Sequence, residues 1–264
     1  MKLLSCNIRY CGAPDGENAW ENRKDLCLRI LRERAPDVIC FQELWARQFD
    51  DLSAALPEYG SWAILDHSWG PNPTNGIFYR RGRWRPAGTG GYWLSDTPQV
   101  PGSRSWGSDN VRLANWITLE DPSTGFSFRV VNTHLDHISQ EARENQARVV
   151  AEEAALLGDF PQILTGDMNS DAPNRAIAVF KEGGWVDTDE AANGTAYAGH
   201  TYHAFLGEAY ASAIGKMDWI FLRGPLRARS AEVIRDADGG RFPSDHYFLE
   251  AAIEPDPLRA PAGG

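Results

Sequence analysis

Short apolar runs that stop abruptly at a polar residue recur along the chain. Lys2 to Arg9 alternates around Leu4, Cys6 and Ile8 and predicts a first strand with Asn7 near its end. Trp20, Cys27, Ile30 and Leu31 recur at helical spacing up to Arg34, and Ala35-Pro36 terminates that helix. Val38 to Phe41 predicts a second, buried strand that runs out into Gln42-Glu43, and Trp45, Phe49, Leu52 and Leu56 mark a second helix stopped by Pro57. Ser61 to Leu65 and Gly76 to Tyr79 predict strands on either side of a loop with Pro71, Pro73 and Asn75. Arg80-Arg81-Gly82-Arg83-Trp84-Arg85 looks like a nucleic-acid patch, but its central glycine makes a solvated hairpin the simpler expectation.

A long Pro/Gly/Ser loop, Trp93 to Asn110, has a length that is often functional in a compact domain. Strands follow at Val111 to Leu119 and Phe126 to Leu135, the second ending in Asn132-Thr133-His134. Ser139 is the expected N-cap of a helix reaching Leu157. Ile163-Leu164-Thr165 is then a short strand running into Gly166-Asp167-Met168-Asn169, followed by a short helix after Pro173. A Gly/Ala/Tyr/His region spans Trp185 to Gly215, Met217 to Leu222 is a strand carrying Asp218, and Ser244-Asp245-His246 enters the last strand, Tyr247 to Ile253. Early alternation of strands and helices, with later strands joined by short turns, predicts a mixed sheet system in one domain over residues 1–254, with a frayed tail at 255–264.

Composition narrows the class. At 264 residues, with 23% charged and 42% hydrophobic positions, the chain is expected to be globular and to bury roughly 75% of its unfolded surface. No apolar run approaches the ~18 residues of a membrane helix. Asn7 and Arg9 interrupt any signal-peptide core, so a cytoplasmic location is expected. Cys6, Cys11, Cys27 and Cys40 lack Cys-x-x-Cys spacing and read as free thiols. A net charge of −10 argues against coating long nucleic acids, but is compatible with a small phosphorylated substrate or with a metal that supplies positive charge.

Asn7, Glu43, His134, Asp167, Asn169, Asp218, Asp245 and His246 all stand at or beside the end of an apolar strand. Singly each is a turn former or a packed polar residue, and Asp167 with Asn169 alone would make an ordinary Asx turn. Together they describe a ligand site at strand ends. Carboxylates and carboxamides without thiolate select Mg²⁺ or Mn²⁺. The pairs His134-x-x-His137 and His200-x-x-His203 lack the spacing of helical zinc motifs, which leaves zinc as the lesser alternative. Asp245 and His246 cannot both point the same way off an extended backbone. Asp245 toward the metal and His246 toward the substrate, oriented by Asp218, is a workable division.

Ser5-Cys6-Asn7-Ile8, Gln42-Glu43, Asn132-Thr133-His134, Gly166-Asp167-Met168-Asn169, Met217-Asp218-Trp219-Ile220 and Ser244-Asp245-His246 resemble, in order, the motifs of the endonuclease/exonuclease/phosphatase (DNase I-like) superfamily. The resemblance implies an α+β fold: a four-layer α-β-β-α sandwich of two mixed β-sheets face to face, with helices outside. It implies Mg²⁺ on Glu43 with Asn7 and Asp245 close by, water oriented or deprotonated by Asp167, and Asn169 holding the water or the phosphate. His246 backed by Asp218, and His134, would meet the phosphoryl oxygens, with Asp167 and His246 both placed to act as base. Ser170-Asp171 and Lys216-Met217-Asp218 depart from the inositol-phosphatase pattern. Asn7-Ile8-Arg9-Tyr10, Asp15-Gly16-Glu17-Asn18, Trp20-x-x-Arg23, Trp93-Leu94-Ser95 and Thr201-Tyr202-His203 are similar to a bacterial branch of the superfamily.

The expected activity is therefore metal-dependent cleavage of a phosphodiester in a small or short nucleic-acid-like substrate, with phosphomonoester hydrolysis next. A glycosidase using Glu43 and Asp167 would leave His134, Asp218 and His246 without roles, and a binding protein with a dead site would have lost a motif residue. Three further positions are substrate-binding candidates. Arg112 offers a planar fork for phosphate or is a surface arginine. His203 lines the pocket or packs in its loop, and Asn75 lines it or makes an Asn-Gly turn.

Overall fold

In the computed structural model, which describes residues 1–65, 74–197 and 199–258, the chain folds into two six-stranded sheets. The first contains β1 (Lys2–Asn7), β2 (Val38–Leu44), β3 (Tyr59–Trp62), β4 (Thr74–Arg80), β11 (Leu226–Ile234) and β12 (Phe248–Pro255), in the order β11-β12-β1-β2-β4-β3. The second contains β5 (Arg85–Trp93), β6 (Leu113–Glu120), β7 (Ser127–His134), β8 (Gln162–Asp167), β9 (Val186–Asp187) and β10 (Asp218–Arg223), in the order β5-β6-β7-β8-β10-β9. Both sheets are mixed: β1 pairs parallel with β2 and β7 with β8, and the other pairings are antiparallel. The helices are α1 (Trp20–Arg34), α2 (Ala46–Ala55), α3 (Gln140–Ala155), α4 (Arg175–Glu182) and the short α5 (Thr188–Asn193). Ser139 caps α3, its Oγ accepting the Ala142 N–H at 3.1 Å.

Strand alternation sorts the core into three slabs, because successive side chains leave opposite faces of a sheet. Leu3, Val38, Cys40, Val130, Ile163, Ile220 and Leu222 fill the space between the sheets. Their sequence neighbours Leu4, Ile39 and Phe41 face outward onto Trp20, Cys27 and Leu31 of α1 and Leu52 of α2. Val131, Leu164 and Phe221 face outward on the other side, onto Ala147 and Val150 of α3 and Ile177 and Phe180 of α4. The result is the expected α-β-β-α sandwich. Cys6, Cys27 and Cys40 are buried thiols, Cys11 is half-buried, and none forms a disulfide.

Two local expectations change. Arg80 to Arg85 is not a hairpin within one sheet: it carries the chain from β4 in the first sheet to β5 in the second. Its side chains are engaged, Arg80 with the Tyr59 hydroxyl (2.8 Å), Arg83 with Asp121 (2.8 Å) and Arg85 with Glu120 (2.6 Å), while Trp84 is buried in the inter-sheet core. Asn75 lies within β4 rather than in an Asn-Gly turn, and its Nδ2 donates to the Leu113 carbonyl at 2.8 Å. The loop prolines Pro71 and Pro73, and residues 259–264 of the tail, lie outside the described residues.

Candidate active site at the mouth of the sandwich

The inner face of each central strand reads from apolar to polar toward one end. Leu3, Ser5 and Asn7 follow one another up β1; Val130, Asn132 and His134 up β7; Ile163, Thr165 and Asp167 up β8; and Leu222, Ile220 and Asp218 back along β10. The middle tier is a buried hydrogen-bonded layer. Asn132 Nδ2 donates to the Phe41 and Gly76 carbonyls of the first sheet, at 2.8 and 2.9 Å. Its Oδ1 accepts from Gln42 Nε2 at 2.7 Å and Thr165 Oγ1 at 3.1 Å. This one carboxamide therefore uses its full capacity to tie the sheets together directly beneath the polar strand ends.

Above this layer the side chains converge. Asn7 Nδ2 donates to Asp167 Oδ2 (3.0 Å) and Glu43 Oε1 (3.2 Å) and lies 3.4 Å from His246 Nε2. His246 Nδ1 meets Asp218 Oδ2 at 2.9 Å, and its Nε2 stands 3.8 Å from Asp167 Oδ2. His134 Nε2 is 3.5 Å from the same Asp167 oxygen and 2.9 Å from Asn169 Nδ2. Asp167 Oδ1 accepts the Asn169 N–H at 2.9 Å, with Asn169 in the left-handed region at φ 46°. The Asx turn and the site are thus one device, the turn aiming both side chains. A Cβ on Gly166 would lie 2.3 Å from the Thr133 carbonyl oxygen, so glycine is what lets β8 approach β7 here.

Glu43 reaches the same place through a backbone irregularity. The β2–β4 register shifts between Phe41 and Leu44, and Glu43 sits at φ 59°; a bulge of this kind re-aims a side chain at a strand end. Asp245 and His246 both line the cavity, contrary to the alternation expected of them. The chain bends at 244–245 before β12 begins, so the extended-strand rule does not hold there. Asn7 also differs from the expected oxygen ligand: its Oδ1 accepts the Arg9 N–H at 3.0 Å, which turns its NH₂ toward the acids.

The electrostatics separate the titratable groups. Burial, and then the charge of Asp218, push the Asp167 carboxyl up to about 7 against the opposing pull of His246. Burial disfavours charge on His246, yet Asp218, Asp167 and Asp245 outweigh it and raise that imidazole to about 10. His134 is driven well below its ordinary value by burial, with the charges of Arg112 and His246 adding to the effect. Burial raises Asp245, Glu43 adds to this, and His246 and Arg9 oppose it. Hard oxygen donors that repel one another in a buried corner suit a divalent cation, and Glu43 with Asp245 offers such a pair. A second grouping, Asp167, Asp218 and His246, has ligand atoms within 4.8 Å of one another, but there the Asp218–His246 contact already occupies both partners.

The residues open onto a cavity of about 720 Å³ lined by Glu43, Asp167, Asn169, Asp245, His246, His134 and Arg112. Two of the other substrate-binding candidates do not reach it. His203 is fully buried and packs its ring on Tyr247 (4.2 Å between centroids) and Phe242 (4.6 Å), and burial lowers its pKa to about 4. Asn75 belongs to the layer between the sheets. Sequence reasoning missed Arg23, a buried arginine that donates to the Ile8, Arg9, Asn18 and Pro243 carbonyls at 2.7–2.9 Å. It thereby holds the exit of β1 against the segment leading to Asp245. The available signal was its position between Trp20 and Cys27 on the apolar stripe of α1.

The sequence profile of the Endonuclease/Exonuclease/phosphatase family matches residues 4–246, spanning every strand end that contributes to the cavity. The chain belongs to that family. A mannosyl-6-phosphatase of Bacteroides thetaiotaomicron is similar to it at 27% identity, covering 96% of this chain and 99% of that one with a TM-score of 0.87. A family protein from Bacteroides vulgatus is similar at 27% identity over 97% and 98% of the two chains, with a TM-score of 0.88. The human nocturnin catalytic domain, at 20% identity, 96% and 93% coverage and a TM-score of 0.76, shares the fold. Enzymes of the endonuclease/exonuclease/phosphatase family hydrolyse phosphoesters, and this chain has the same sandwich fold as the mannosyl-6-phosphatase.

Proposed function

We propose that this chain is a divalent-metal-dependent hydrolase of a small phosphoester, with Asp167 as the base that takes a proton from the attacking water and His246 as a protonated donor to the phosphate. The observation carrying this reading is the split between two neighbours: a carboxyl raised to about 7 and an imidazole raised to about 10, with facing atoms 3.8 Å apart on one cavity. Near neutral pH the first can accept a proton and the second has one to give. This favours Asp167 as the base, where the sequence left two candidates. Asp218 holds the His246 ring through Nδ1, Asn169 positions Asp167 and His134, and Asn7 orients the acids as a donor. Mg²⁺ or Mn²⁺ would sit on Glu43 and Asp245, and when bound it would offset the charge of the phosphoryl group.

The sequence ranks a phosphodiester substrate first. Likeness to a mannosyl-6-phosphatase over almost the whole length of both chains favours a phosphomonoester, and the net charge of −10 disfavours a long nucleic acid. The test is release of p-nitrophenol from its phosphate monoester and diester with Mg²⁺ or Mn²⁺. Turnover that stops in EDTA and returns with added metal is expected. Failure of both esters with both metals defeats the proposal.

A further inference from the structure

One cation in the cavity wall has no carboxylate partner within ion-pair distance among the described residues. Arg112 ends the loop that leads into β6, and its Nε is sequestered from solvent without an acceptor among the described residues. Its Nη2 has a ring nitrogen for company, His137 Nδ1 at 3.4 Å, and not a carboxylate. Asp136, in the same loop cluster, is committed elsewhere. One of its oxygens accepts from Ser108 Oγ (3.1 Å) and the Asp109 N–H (2.8 Å), and the other accepts from the Ile138 and Ser139 N–H groups (2.9 and 2.7 Å). A guanidinium carries five N–H donors in a rigid fork, and in this half-buried side chain the Nε donor is shut off from water with no acceptor among the described residues. Such a group on a cavity wall is held ready for an anion that is not part of the protein.

Glu43 and Asp245 line the cavity with Arg9 3.7 Å from Asp245, and Arg112 and His137 line it with Asp109 3.9 Å from His137. A phosphodiester offers two non-bridging oxygens and one negative charge. A phosphomonoester dianion offers three and two. With the Glu43–Asp245 side and His246 each facing one oxygen, the Arg112 side faces the substituent that differs. An alkyl ester there would leave the Arg112 Nε donor without an acceptor, whereas an oxyanion would pair with it.

The geometry points to Arg112 as the residue that selects phosphomonoester dianions over diesters, a deepening that rests on the phosphoester-hydrolase reading above. The reaction is then ROPO₃²⁻ + H₂O → ROH + HPO₄²⁻. The water oxygen forms the new P–O bond, the P–OR bond breaks with its electron pair leaving on the alkoxide, and a water proton ends on that alkoxide. Inorganic phosphate, with the same oxygens, is expected to be a competitive inhibitor held by the same arginine.

The test compares p-nitrophenyl phosphate with p-nitrophenyl methyl phosphate, which differ by one methyl on a non-bridging oxygen, using the metal-loaded wild type, Arg112→Ala and Arg112→Lys. Wild type is expected to favour the monoester in kcat/KM. Arg112→Ala should lose about 10- to 100-fold on the monoester, the range of a charge-assisted pair, and distinctly less on the diester, which carries one negative charge fewer. The inhibition constant of inorganic phosphate should rise by a similar factor, and Arg112→Lys should recover part of the loss. Equal losses on both esters, or a wild type that prefers the diester, would overturn the assignment. If the variants do not fold, the wild-type preference and its inhibition by phosphate decide alone. No turnover of either ester by wild type would instead defeat the hydrolase reading itself.

Discussion

Two tiers of polar residues lie one above the other between the sheets, and they are built on opposite terms. In the lower tier, Gln42, Asn132 and Thr165 are uncharged and linked through the fully satisfied Asn132 carboxamide. In the upper tier, Asp167, Asp218 and Asp245 crowd around His246, Asp167 is raised by Asp218, and Asp218 Oδ1 has no hydrogen-bond partner among the described residues. On β7 and β8 the tiers lie one inward position apart, Asn132 below His134 and Thr165 below Asp167. Neutral hydrogen-bonded groups cost little to bury and fix the gap between sheets, with Gln42 Oε1 alone of this tier lacking a donor among the described residues; charged groups with incomplete compensation are costly to bury and carry the reactive protonation states. The contrast implies that damage to the two tiers should look different.

The largest effect is expected in the upper tier, on activity alone. Asp167→Asn keeps the shape and removes the base, so kcat should fall about 10³-fold, within the range for loss of a general base. The metal-free melting temperature should hold steady or rise, because one of two mutually repelling buried carboxylates is gone. A variant with unaltered turnover, or one that is simply unfolded, would break the distinction between the tiers from above.

In the lower tier the order reverses. Asn132→Ala removes a partner from two carbonyls of the first sheet, the Gln42 amide and the Thr165 hydroxyl at once, leaving Gln42 its longer bonds to Ser5 Oγ and the Cys40 carbonyl and Thr165 its bond to the Val131 carbonyl. Unsatisfied buried groups cost about 1–3 kcal/mol each, and partial relaxation should leave a total of about 3 kcal/mol. That corresponds to a melting temperature lower by roughly 5 °C for a chain of this size. Turnover should fall less than in Asp167→Asn, since the catalytic groups remain and only the separation between Glu43 on one sheet and Asp167 on the other is loosened. Calorimetry on both variants checks the pair, and an Asn132→Ala protein as stable as wild type would remove the pinning role.

The same contrast explains what the sequence made legible. The upper tier stood out because each member ends a central strand whose apolar run is covered on both faces, as in Ile163-Leu164-Thr165 before Asp167. The missed strands, β5, β9 and β11, are edge strands of their sheets, with a single hydrogen-bonded neighbour each. The glycine-rich 85–93 and the arginine-bearing 226–234 are largely open to solvent, so no hydrophobic period marks them. Arg112 is picked out by its residue type and its place after a long loop, and it lines the cavity, but the missing acceptor at its Nε among the described residues is a fact of three dimensions. His203 stays out of the cavity and Asp245 reaches it against the alternation rule, for a related reason. Sequence supplies the residue two places from a strand, whereas the bend at 244–245 and the Tyr247–Phe242 packing decide which side it faces.

The smallest expected effect is a pH dependence that belongs to the upper tier alone. Without metal, His246 is held protonated by its three carboxylates, its folded pKa of about 10 standing above the ordinary 6.5. Its contribution to stability is therefore fully present below pH 6.5 and is lost as the pH rises through about 10. Asp167, raised from 3.8 to about 7, has the same sign, since the fold favours its protonated form and loses that contribution as the pH rises through 7. His134 has the opposite sign: it is kept neutral by burial, so stability falls as the pH drops below 6.5. The melting temperature of the protein in EDTA should accordingly peak near neutrality and decline by several degrees toward pH 10. His246→Asn should flatten that decline, whereas Asn132→Ala should lower the whole curve without changing its shape, because no member of the lower tier titrates in this range. A curve for His246→Asn parallel to wild type would mean that the charges in the upper tier are not carried by the imidazole, and the division of roles between Asp167 and His246 would have to be redrawn.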